Sequence, residues 1–397
     1  MHDRQFDDLL RRLEEEEDGN LSRRDLLKRG GALGLGLAAL GLAGPAAART
    51  LGGSPPASGL SISFKELVTE AKNEGKLNTI ALPPDWANYG VMMSTFQKKY
   101  GIKITNASPN AASADEIQAV KSLKGQSRAP DVLDISPPIA AQGVKEGLFS
   151  PYKVRLWGTV PALMKHPQGL WTGDYWGVIS FGANRKVVQN QPRSWADLLK
   201  PEYKGQVALN GDPRTSGSAF AGVYSAALAN GGSLDNIQPG IDFYAKLKDA
   251  GNFILVDATP ATVASGQTPI TIDWDYLQIA YGKEFAKDIN WTVSIPAKGV
   301  FGNYYCQAIN KEAPNPYAAR LWEEFLYSNQ GQLIFLAGYS HPARYADLAR
   351  KNLVPAALKA KLPPAAAYAR VKFPNPAQTA KATALVNEQW GPKVAGS

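Results

Sequence analysis

The sequence predicts an α/β protein with two lobes and mixed, mostly parallel sheets that carry helices on both faces. Predicted strands and helices alternate from residue 63 onward, a pattern typical of such sheets. The chain has 397 residues, more than a single hydrophobic core usually supports, so two lobes are expected. Three His and a single Cys, Cys306, leave little material for a metal cluster and none for an internal disulfide. We therefore expect neither a resident metal nor a cofactor.

Local signals place the elements of the first half in order along the chain. Ser63 and Glu66 have the spacing of a capping box at the start of a helix that Gly75 ends. Short apolar runs predict strands, and apolar residues three and four apart predict helices. Strands are predicted at residues 76–82, 102–105 and 131–135, and helices at 63–73, 91–100, 115–123 and 138–146.

The second half continues this alternation. The apolar run at 178–183, bounded by Gly177 and Asn184, is predicted to be a strand. Residues 346–397, rich in Ala, Lys and Pro, are predicted to form outer helices and a loose tail. Further strands are predicted at 206–209, 253–256, 268–273, 291–295 and 302–309, and helices at 192–199, 219–229, 241–250, 259–264 and 317–336.

Residues 1–48 carry the features of an export signal. Residues 22–28, Ser-Arg-Arg-Asp-Leu-Leu-Lys, precede an uncharged run of mainly Gly, Ala and Leu at 30–44 and small residues at 46–48. This order resembles a twin-arginine export signal, with Leu where the pattern has Phe. The apolar run is short and rich in Gly for a membrane span, and an uncleaved anchor is the alternative. The sequence thus predicts a cleaved signal at 1–48, a flexible leader at 49–60 and a periplasmic protein.

The charge balance favours some partners and excludes others. The formal net charge is +8, and residues 1–48 hold seven basic and nine acidic residues, so the remainder carries +10. Such an excess favours anionic partners or surfaces. The sequence has no basic run with interleaved aromatic residues, so we expect no nucleic acid partner.

The main candidate for a ligand site is the stretch at 268–277, Thr-Pro-Ile-Thr-Ile-Asp-Trp-Asp-Tyr-Leu. A strand here would end at Asp273, Trp274, Asp275 and Tyr276, and open α/β sheets bind ligands at the carboxyl ends of strands. An indole with carboxylates suits an organic cation. The alternative is that the two rings lie in the core and the two Asp side chains are solvated or cap a helix.

Two further strand ends carry polar and aromatic residues. Asp85, Trp86 and Tyr89 follow the first predicted strand and put a carboxylate and two rings at a crevice edge. Ser136 follows the strand at 131–135 and can cap the next helix or offer its hydroxyl to a ligand. The alternative for Trp86 and Tyr89 is that they only pack the corner between strand and helix.

A run of hydroxyl residues precedes the predicted helix at 219–229. Thr215, Ser216, Gly217 and Ser218 would place free backbone N–H groups, hydroxyls and the positive end of the helix dipole at one point. This combination predicts an anion site. Ordinary capping by Thr215 or Ser216 is the alternative.

Tyr304 and Tyr305 lie next to each other in the last predicted strand. Phenolate oxygen is a hard donor that suits ferric iron, but consecutive strand residues face opposite ways, so at most one ring would face a cleft. The sequence does not decide which ring that is, and we take Tyr304 as the candidate. Packing of both rings at a hinge is the alternative, and Cys306 is expected to be a small buried apolar residue.

Several short motifs occur in a characteristic order along the part of the chain after the signal. They include Pro-Asp-Val-Leu-Asp at 130–134, Gly-Leu-Phe-Ser-Pro-Tyr-Lys at 147–153 and Trp-Gly-Val-Ile-Ser-Phe-Gly-Ala-Asn at 176–184. Ser-Trp-Ala-Asp-Leu-Leu follows at 194–199. This order resembles the extracellular solute-binding proteins of ABC importers, over residues 60–345. The resemblance is greatest to the branch whose members take up iron, polyamines, thiamine or phosphonates.

The resemblance implies a type II periplasmic-binding-protein fold with two or more hinge crossings. It implies a first lobe at residues 61–181 plus 304–345 and a second lobe at 182–303, with the lobe of residues 346–397 left open. It also implies a monomer that closes over a small solute and delivers it to an ABC permease in the inner membrane. By this resemblance the protein is not an enzyme.

The candidate residues favour an amine-bearing solute such as a polyamine or a thiamine-like compound. Iron-binding relatives carry adjacent tyrosines where this chain has Asp273 to Tyr276, which weighs against iron. Trp274 with Asp275 is more similar to the polyamine binders. A phosphonate or other anion and ferric iron are the alternatives within this fold. An exported hydrolase that uses Asp273 and Asp275 as an acid/base pair is the alternative outside it.

Overall fold

The computed structural model describes residues 62–396. The predicted twin-arginine signal and nearly all of the leader lie outside the described residues. The described residues belong to one structural unit. None of their helices combines the length and the apolar character that a membrane crossing requires.

Ten strands in this part of the chain form two sheets. In the smaller sheet β1 and β2 pair in parallel, and in the larger sheet the order is β3-β9-β5-β7-β6, with β4 on β9 and with β8 and β10 on β5. The smaller sheet adjoins the larger one. The N–H of Asp131, just before β3, donates to the carbonyl of Asn78 in β1 at 2.8 Å. The strands are β1 (Lys76–Ile80), β2 (Lys103–Ala107), β3 (Val132–Ile135), β4 (Phe149–Ser150), β5 (Thr172–Asn184), β6 (Val207–Leu209), β7 (Ile270–Trp274), β8 (Trp291–Ser294), β9 (Gly302–Asn310) and β10 (His341–Pro342).

Pairing in the larger sheet is mostly antiparallel, which corrects the expectation of mostly parallel sheets. Only β6 with β7 is parallel among its ladders within residues 62–396, whereas β3 with β9, β5 with β9 and β5 with β7 are antiparallel. Alternating strands and helices predict parallel pairing only where successive strands become neighbours. Here β5 and β9, far apart in sequence, lie side by side at the centre. The α/β class and the mixed, two-lobed fold are confirmed.

Thirteen α-helices accompany the strands within the described residues. Most lie where the sequence predicts them, with ends shifted by a few residues. They are α1 (Phe64–Glu74), α2 (Tyr89–Tyr100), α3 (Ser113–Ser122), α4 (Pro137–Lys145), α5 (Gly217–Ala229), α6 (Gln238–Asp249), α7 (Pro260–Ala264), α8 (Asp275–Glu284), α9 (Pro316–Leu326), α10 (Asn329–Ala337), α11 (Tyr345–Arg350), α12 (Ala356–Lys359) and α13 (Pro376–Trp390).

The first helix shows how local sequence sets an element's ends. The Ser63 hydroxyl accepts from the Glu66 N–H at 3.1 Å, and the Glu66 carboxylate accepts from the Ser63 N–H at 3.3 Å. Gly75 follows α1 with φ of 68°, the left-handed conformation that glycine adopts without strain. The predicted capping box and helix end are therefore confirmed.

Three predicted elements differ from the structure. The single helix expected at 317–336 is split into α9 and α10, because the Ser328 hydroxyl accepts from the Gly331 N–H at 3.0 Å and caps a new helix. The strand expected at 253–256 makes only a single bridge with β6. The helix expected at 192–199 is a short 3₁₀ turn.

Two long strands run through the centre of the larger sheet. The first residues of β5 pair with β9, and its last residues pair with β7 and β8. The strand predicted at 178–183 is therefore the second half of β5, and the strand predicted at 302–309 is β9. A change of partner along one strand is the geometry expected where a chain passes from one half of a molecule to the other.

The C-terminal segment packs along the same central region. The Lys372 N–H donates to the Val300 carbonyl and the Gly302 N–H donates to the Lys372 carbonyl, both at 3.0 Å, so the segment joins the start of β9. Further on, α13 packs against both α4 and α6. Lys393 forms an ion pair with Asp242 of α6 at 2.9 Å. Because α4 precedes β5 in the chain and α6 follows it, residues 364–396 contact elements from both sides of β5 in the sequence.

Candidate functional site

A cavity of about 390 Å³ opens where the loops at the carboxyl ends of several strands face one another. Its walls are the loops after β1 and β2, the end of β3, the loop after β6 with the start of α5, and the loop before α7. Tyr281 of α8 and Tyr305 of β9 complete them. The volume lies within the usual range for small-molecule sites, roughly 300–1,000 Å³. The position is the one expected for ligand binding in open α/β sheets.

The charges on the cavity wall all have one sign. The lining side chains include six carboxylates and, among the described residues, no Lys, Arg or His. Such a wall attracts cations and repels anions, because low-dielectric walls focus the field of like charges. The six carboxylates are Asp85, Asp115, Glu116, Asp134, Asp212 and Asp257.

Several of these carboxylates are partly or fully withdrawn from water. Burial raises the pKa of Asp85, and it raises the pKa of Glu116 well above its usual value. Burial also raises the pKa of Asp134, which the Tyr89 and Tyr175 hydroxyls oppose. Desolvation disfavours the ionised form of a carboxyl unless a cation compensates it. Asp212 is already paired with Arg214 at 2.7 Å, but the other five carboxylates have no ion pair among the described residues, so a positive charge in the cavity would favour their ionised forms.

Trp86, one of the residues singled out in the sequence, lies on the cavity wall. Its indole N–H donates to the Tyr175 hydroxyl at 2.7 Å. Its ring meets the Tyr305 and Tyr276 rings edge to face, with centroids 5.7 and 6.2 Å apart. These contacts fix the indole against the cavity, next to the predicted Asp85. An ordered indole beside carboxylates can hold an organic cation through its face.

The predicted hydroxyl run also lies on the wall. Thr215, Ser216, Gly217 and Ser218 all line the cavity at the start of α5. The Ser216 hydroxyl accepts from the Ala219 N–H at 3.4 Å and caps the helix. It also donates to a backbone carbonyl, so this hydroxyl is occupied by capping.

Tyr89 and Ser136 lie behind the wall and do not line the cavity. Tyr89 is fully buried and its hydroxyl contacts one carboxylate oxygen each of Asp134 and Asp174, at 2.9 Å. Ser136 is 3% exposed, and its N–H donates to the Ser113 hydroxyl at 3.1 Å. In both cases the side chain follows the strand end as predicted, but neighbouring elements cover it.

The stretch singled out in the sequence is a packing centre next to the cavity. Asp273, Trp274, Asp275 and Tyr276 are each at most 1% exposed, and none lines the cavity. The Trp274 and Tyr276 rings stack with centroids 6.3 Å apart. β7 passes directly into α8 at this point, so the four side chains are covered and do not project into a crevice. The two rings therefore lie in the core, which was the alternative to a position in a ligand site.

The two aspartates of this stretch contact different parts of the molecule. Asp273 accepts from the Asn210 side chain, a cavity residue, at 2.9 Å, and burial raises its pKa to about 7. Asp275 accepts from the Val178 N–H at 2.9 Å and from the Tyr368 hydroxyl at 2.6 Å, and burial raises its pKa to about 6. Asp273 thus supports the cavity wall from behind, and Asp275 binds the C-terminal segment.

Tyr305 faces the cavity, whereas the predicted Tyr304 faces away. The Tyr304 hydroxyl donates to the Leu163 carbonyl at 2.7 Å, and its ring stacks on Trp171. Tyr305 is 8% exposed and lines the cavity. The alternation expected of a strand holds here, and Cys306 is fully buried as expected.

Sequence reasoning missed most of the carboxylates on the wall. Asp115 and Glu116 lie in the first turn of α3, and Asp212 and Asp257 lie in loops after β6 and before α7. Asp134 enters the sequence analysis only as the last residue of the motif at 130–134. The signal available in the sequence is position, since each of these residues lies near the end of a strand, in the first turns of a helix or in the loop between them.

A family model described as bacterial extracellular solute-binding protein matches residues 127–376, more than half of the chain. The chain belongs to this family. The family is one of solute-binding proteins, which confirms the prediction of a binding protein over an exported hydrolase.

Two curated relatives match part of this family member. An uncharacterized protein from Haemophilus influenzae is 26% identical over 202 residues, which is 48% of this chain and 56% of the relative. A probable ABC transporter periplasmic-binding protein, y4fP, from Sinorhizobium fredii is 29% identical over 136 residues, which is 33% of this chain and 37% of the relative. The chain thus matches about half or less of the length of these curated relatives.

Solved structures share the fold over most of the chain. AfuA from Actinobacillus pleuropneumoniae, with bound fructose-6-phosphate, has a TM-score of 0.66 at 17% identity and covers 81% of this chain and 99% of its own. A protein named as a spermidine/putrescine ABC transporter from Listeria monocytogenes has a TM-score of 0.61 at 15% identity, covering 80% and 98%. Iron-bound HitA from Pseudomonas aeruginosa has 0.58 at 21% identity, covering 80% and 99%. At such identities the likeness establishes the fold alone.

Proposed function

We propose that this protein is the periplasmic substrate-binding component of an ABC importer and that its solute carries one or more protonated amines. One observation carries the choice of solute, namely that six carboxylates and no basic side chain of the described residues line the cavity. An ammonium group gains charge-assisted hydrogen bonds there and compensates carboxylates that burial has desolvated. A polyamine or a thiamine-like amine meets this requirement.

The rings around the cavity support the same choice. Trp86, Tyr281 and Tyr305 line it together with the carboxylates. Aromatic faces attract ammonium groups and also cover the methylene segments between them. A solute that carries both charged groups and hydrocarbon segments suits a wall that holds both carboxylates and aromatic rings.

An anionic solute is the second candidate, and one observation favours it. The first turn of α5 lines the cavity at Gly217 and Ser218, and the backbone N–H groups there have no partner within their own helix. A phosphate, phosphonate or carboxylate group can bind such a helix start. The same group would also face the carboxylates of the wall, and for this reason we favour the amine. Ferric iron is the third candidate, although Tyr304 is turned away from the cavity.

Capture of the solute follows from the lobes predicted by the sequence. With residues 61–181 and 304–345 as the first lobe and 182–303 as the second, each lobe supplies part of the wall. The first would contribute Asp85 to Asp134 and the second Asn210 to Tyr281. Closure of the lobes about β5 and β9 would enclose the solute, and a permease in the inner membrane would receive it. A ligand shifts the lobes toward closure by its preference for the closed state.

A thermal-shift screen of the purified protein tests the solute class. The panel holds putrescine, spermidine and thiamine as cations, and aminoethylphosphonate, fructose-6-phosphate, phosphate and ferric citrate as alternatives. A ligand that binds only the folded state raises the unfolding midpoint by mass action. We expect a shift with at least one amine and none with phosphate or fructose-6-phosphate. A shift with anions alone would replace the amine proposal by the α5 site.

Export by the twin-arginine route is proposed on the motif at residues 22–28. A reporter fused to residues 1–60 is expected in the periplasm, and the double change Arg23→Lys, Arg24→Lys is expected to hold it in the cytoplasm. Fractionation of cells with and without an active twin-arginine system measures this. Export of the double variant through that system would exclude the assignment.

A further inference from the structure

Behind the cavity wall lies a pair of buried carboxyl groups joined by one hydroxyl. Asp134 is 6% exposed and lines the cavity, and Asp174 of β5 is fully buried behind it. The Tyr89 hydroxyl lies 2.9 Å from Oδ2 of each. The Gln307 side-chain amide donates to the Tyr89 oxygen at 2.9 Å and to Asp174 Oδ2 at 3.2 Å.

The hydrogen atoms available to this cluster can be counted. A phenol carries one hydrogen, so Tyr89 can donate to only one of the two carboxylates. The other contact, also 2.9 Å between two oxygens, needs a hydrogen of its own. The Gln307 amide hydrogens point to Tyr89 and Asp174 and cannot fill that contact between oxygens. One of the two carboxyl groups must therefore carry a proton, as close carboxylate pairs commonly do.

The surroundings offer no positive charge to replace this proton. Burial raises the pKa of both Asp134 and Asp174, and the charge of each raises that of its neighbours. The titratable groups on which the charges of this pair act are all acidic. They are Glu116 of α3, Tyr89 of α2, Tyr175 of β5, Tyr276 of α8, Tyr305 and Cys306 of β9, and Tyr327 after α9.

Asp134 connects this pair to the cavity. Its Oδ2 contacts Tyr89 at 2.9 Å and Tyr175 at 3.3 Å, whereas its Oδ1 has no hydrogen-bond partner among the described residues. A buried carboxyl oxygen without a donor is costly and rare in folded proteins. Oδ1 is itself buried, but because the same residue lines the cavity, a small movement of the carboxyl group would bring this unsatisfied acceptor to a solute N–H group.

We propose that Asp134 is the subsite for an ammonium group of the solute and that binding there expels the proton shared by Asp134 and Asp174. This inference rests on the proposed function. The ammonium N–H donates to Asp134 Oδ1, the shared proton leaves to solvent, and both carboxylates end ionised beside one cation. Tyr89 then donates to only one of the two carboxylates, and its contact with the other lengthens. One positive charge enters and one leaves, so the buried cluster keeps its net charge. Affinity should then rise with pH, up to tenfold per pH unit while the free pair holds its proton.

Calorimetry of the full chain at pH 6.5 counts the proton. Spermidine and putrescine are titrated in buffers of different ionisation enthalpy, and the dependence of the measured heat on the buffer gives the protons released. We expect the wild type to release about one proton for each ligand molecule bound. Asp174→Asn should still bind the ligand but release close to none. Asp249→Asn, an exposed change at the end of α6, serves as the matched control and should release as many as the wild type.

A second measurement needs no ligand. Carbon-13 NMR of labelled Asp carboxyls in the free protein should show more than one neutral acid at pH 6.5, because burial also raises the pKa of Asp273 to about 7. Asp174→Asn should abolish the neutral acid that belongs to the pair and leave that of Asp273. If Asp174→Asn does not fold, Tyr89→Phe, which removes the bridging hydroxyl, takes its place beside the wild-type proton count. Binding of amines without proton release overturns the exchange and leaves the proposed function intact. Failure of every amine to bind overturns both the proton exchange and the proposed function. If Asp134 and Asp174 are both ionised in the free protein, the shared proton is overturned.

Discussion

Changing Asp273 to Asn would remove a buried negative charge next to the cavity while keeping the size of the side chain. The carboxyl is 1% exposed and accepts from the Asn210 side chain at 2.9 Å and from the Trp274 N–H at 2.8 Å. An Asn here can accept the Trp274 bond, and Asn210 can turn its amide to keep the other. The main effect of the substitution is therefore electrostatic.

The size of that effect follows from the pKa. Burial raises the pKa of Asp273 from 3.8 to about 7, so between these values the folded state holds a proton that the unfolded state has lost. The free energy of unfolding therefore falls as the pH rises through this window and stays low above it. At about 1.4 kcal/mol per pKa unit the total cost is about 4 kcal/mol, of which about 3 kcal/mol develops between pH 5 and pH 8. Asp273→Asn should gain about 3 kcal/mol on the wild type over that interval.

Urea unfolding of the full chain at pH 5 and pH 8, followed by tryptophan fluorescence, measures this difference. Asp249→Asn, an exposed change at the end of α6, is the control and should behave like the wild type at both pH values. If Asp273→Asn changes the free energy of unfolding equally at pH 5 and pH 8, Asp273 ionises normally and the electrostatic argument is wrong.

Three further predictions concern the wall and the C-terminal segment. Trp86→Ala should weaken amine binding by about tenfold in calorimetry, because a cation on an indole face contributes about 1–2 kcal/mol. Gly217→Ala would place a methyl carbon 2.6 Å from Ser136 Cβ, so it should hold the two walls about 1 Å further apart and weaken binding at least fivefold. Tyr368→Phe removes the 2.6 Å bond to Asp275 and should lower the free energy of unfolding by about 2 kcal/mol, with amine affinity unchanged.

The fold could be predicted where the determinants are local. The ends of α1 follow from Ser63, Glu66 and Gly75, each of which acts on a partner no more than four residues away. The central strands follow from apolar runs that are long enough to exclude a turn. The direction of pairing could not be predicted in this way, because it depends on β5 and β9 meeting across more than a hundred residues.

The site was harder to predict than the fold. Period two in β9 implies that Tyr304 and Tyr305 face opposite ways, but only the packing of Trp171 on one side decides which ring faces the cavity. Asp275 has the sequence context of a ligand residue, yet Tyr368, which is 93 residues away, covers it. Burial of this kind is a long-range property that no local pattern carries.

The six carboxylates of the wall also could not be predicted as one site from local patterns. They are scattered from Asp85 to Asp257, and only the topology brings them to one cavity. Their common feature in the sequence is a position at the end of a strand or the start of a helix. That feature predicts where a site lies, but it does not predict the sign of the charge that the site will hold.

A folded protein that keeps several carboxylates desolvated gives up stability that a suitable solute can restore. The bound cation lowers the pKa of these groups, so stabilisation by an amine should grow from pH 5 to pH 8 as the free protein becomes less stable. An anion at the start of α5 should show the reverse, because it binds best while the carboxylates around it are neutral. The sign of this pH dependence therefore separates the two solute classes even with a weakly binding probe from each. It does so because Asp85, Glu116 and Asp134 lie on the wall itself.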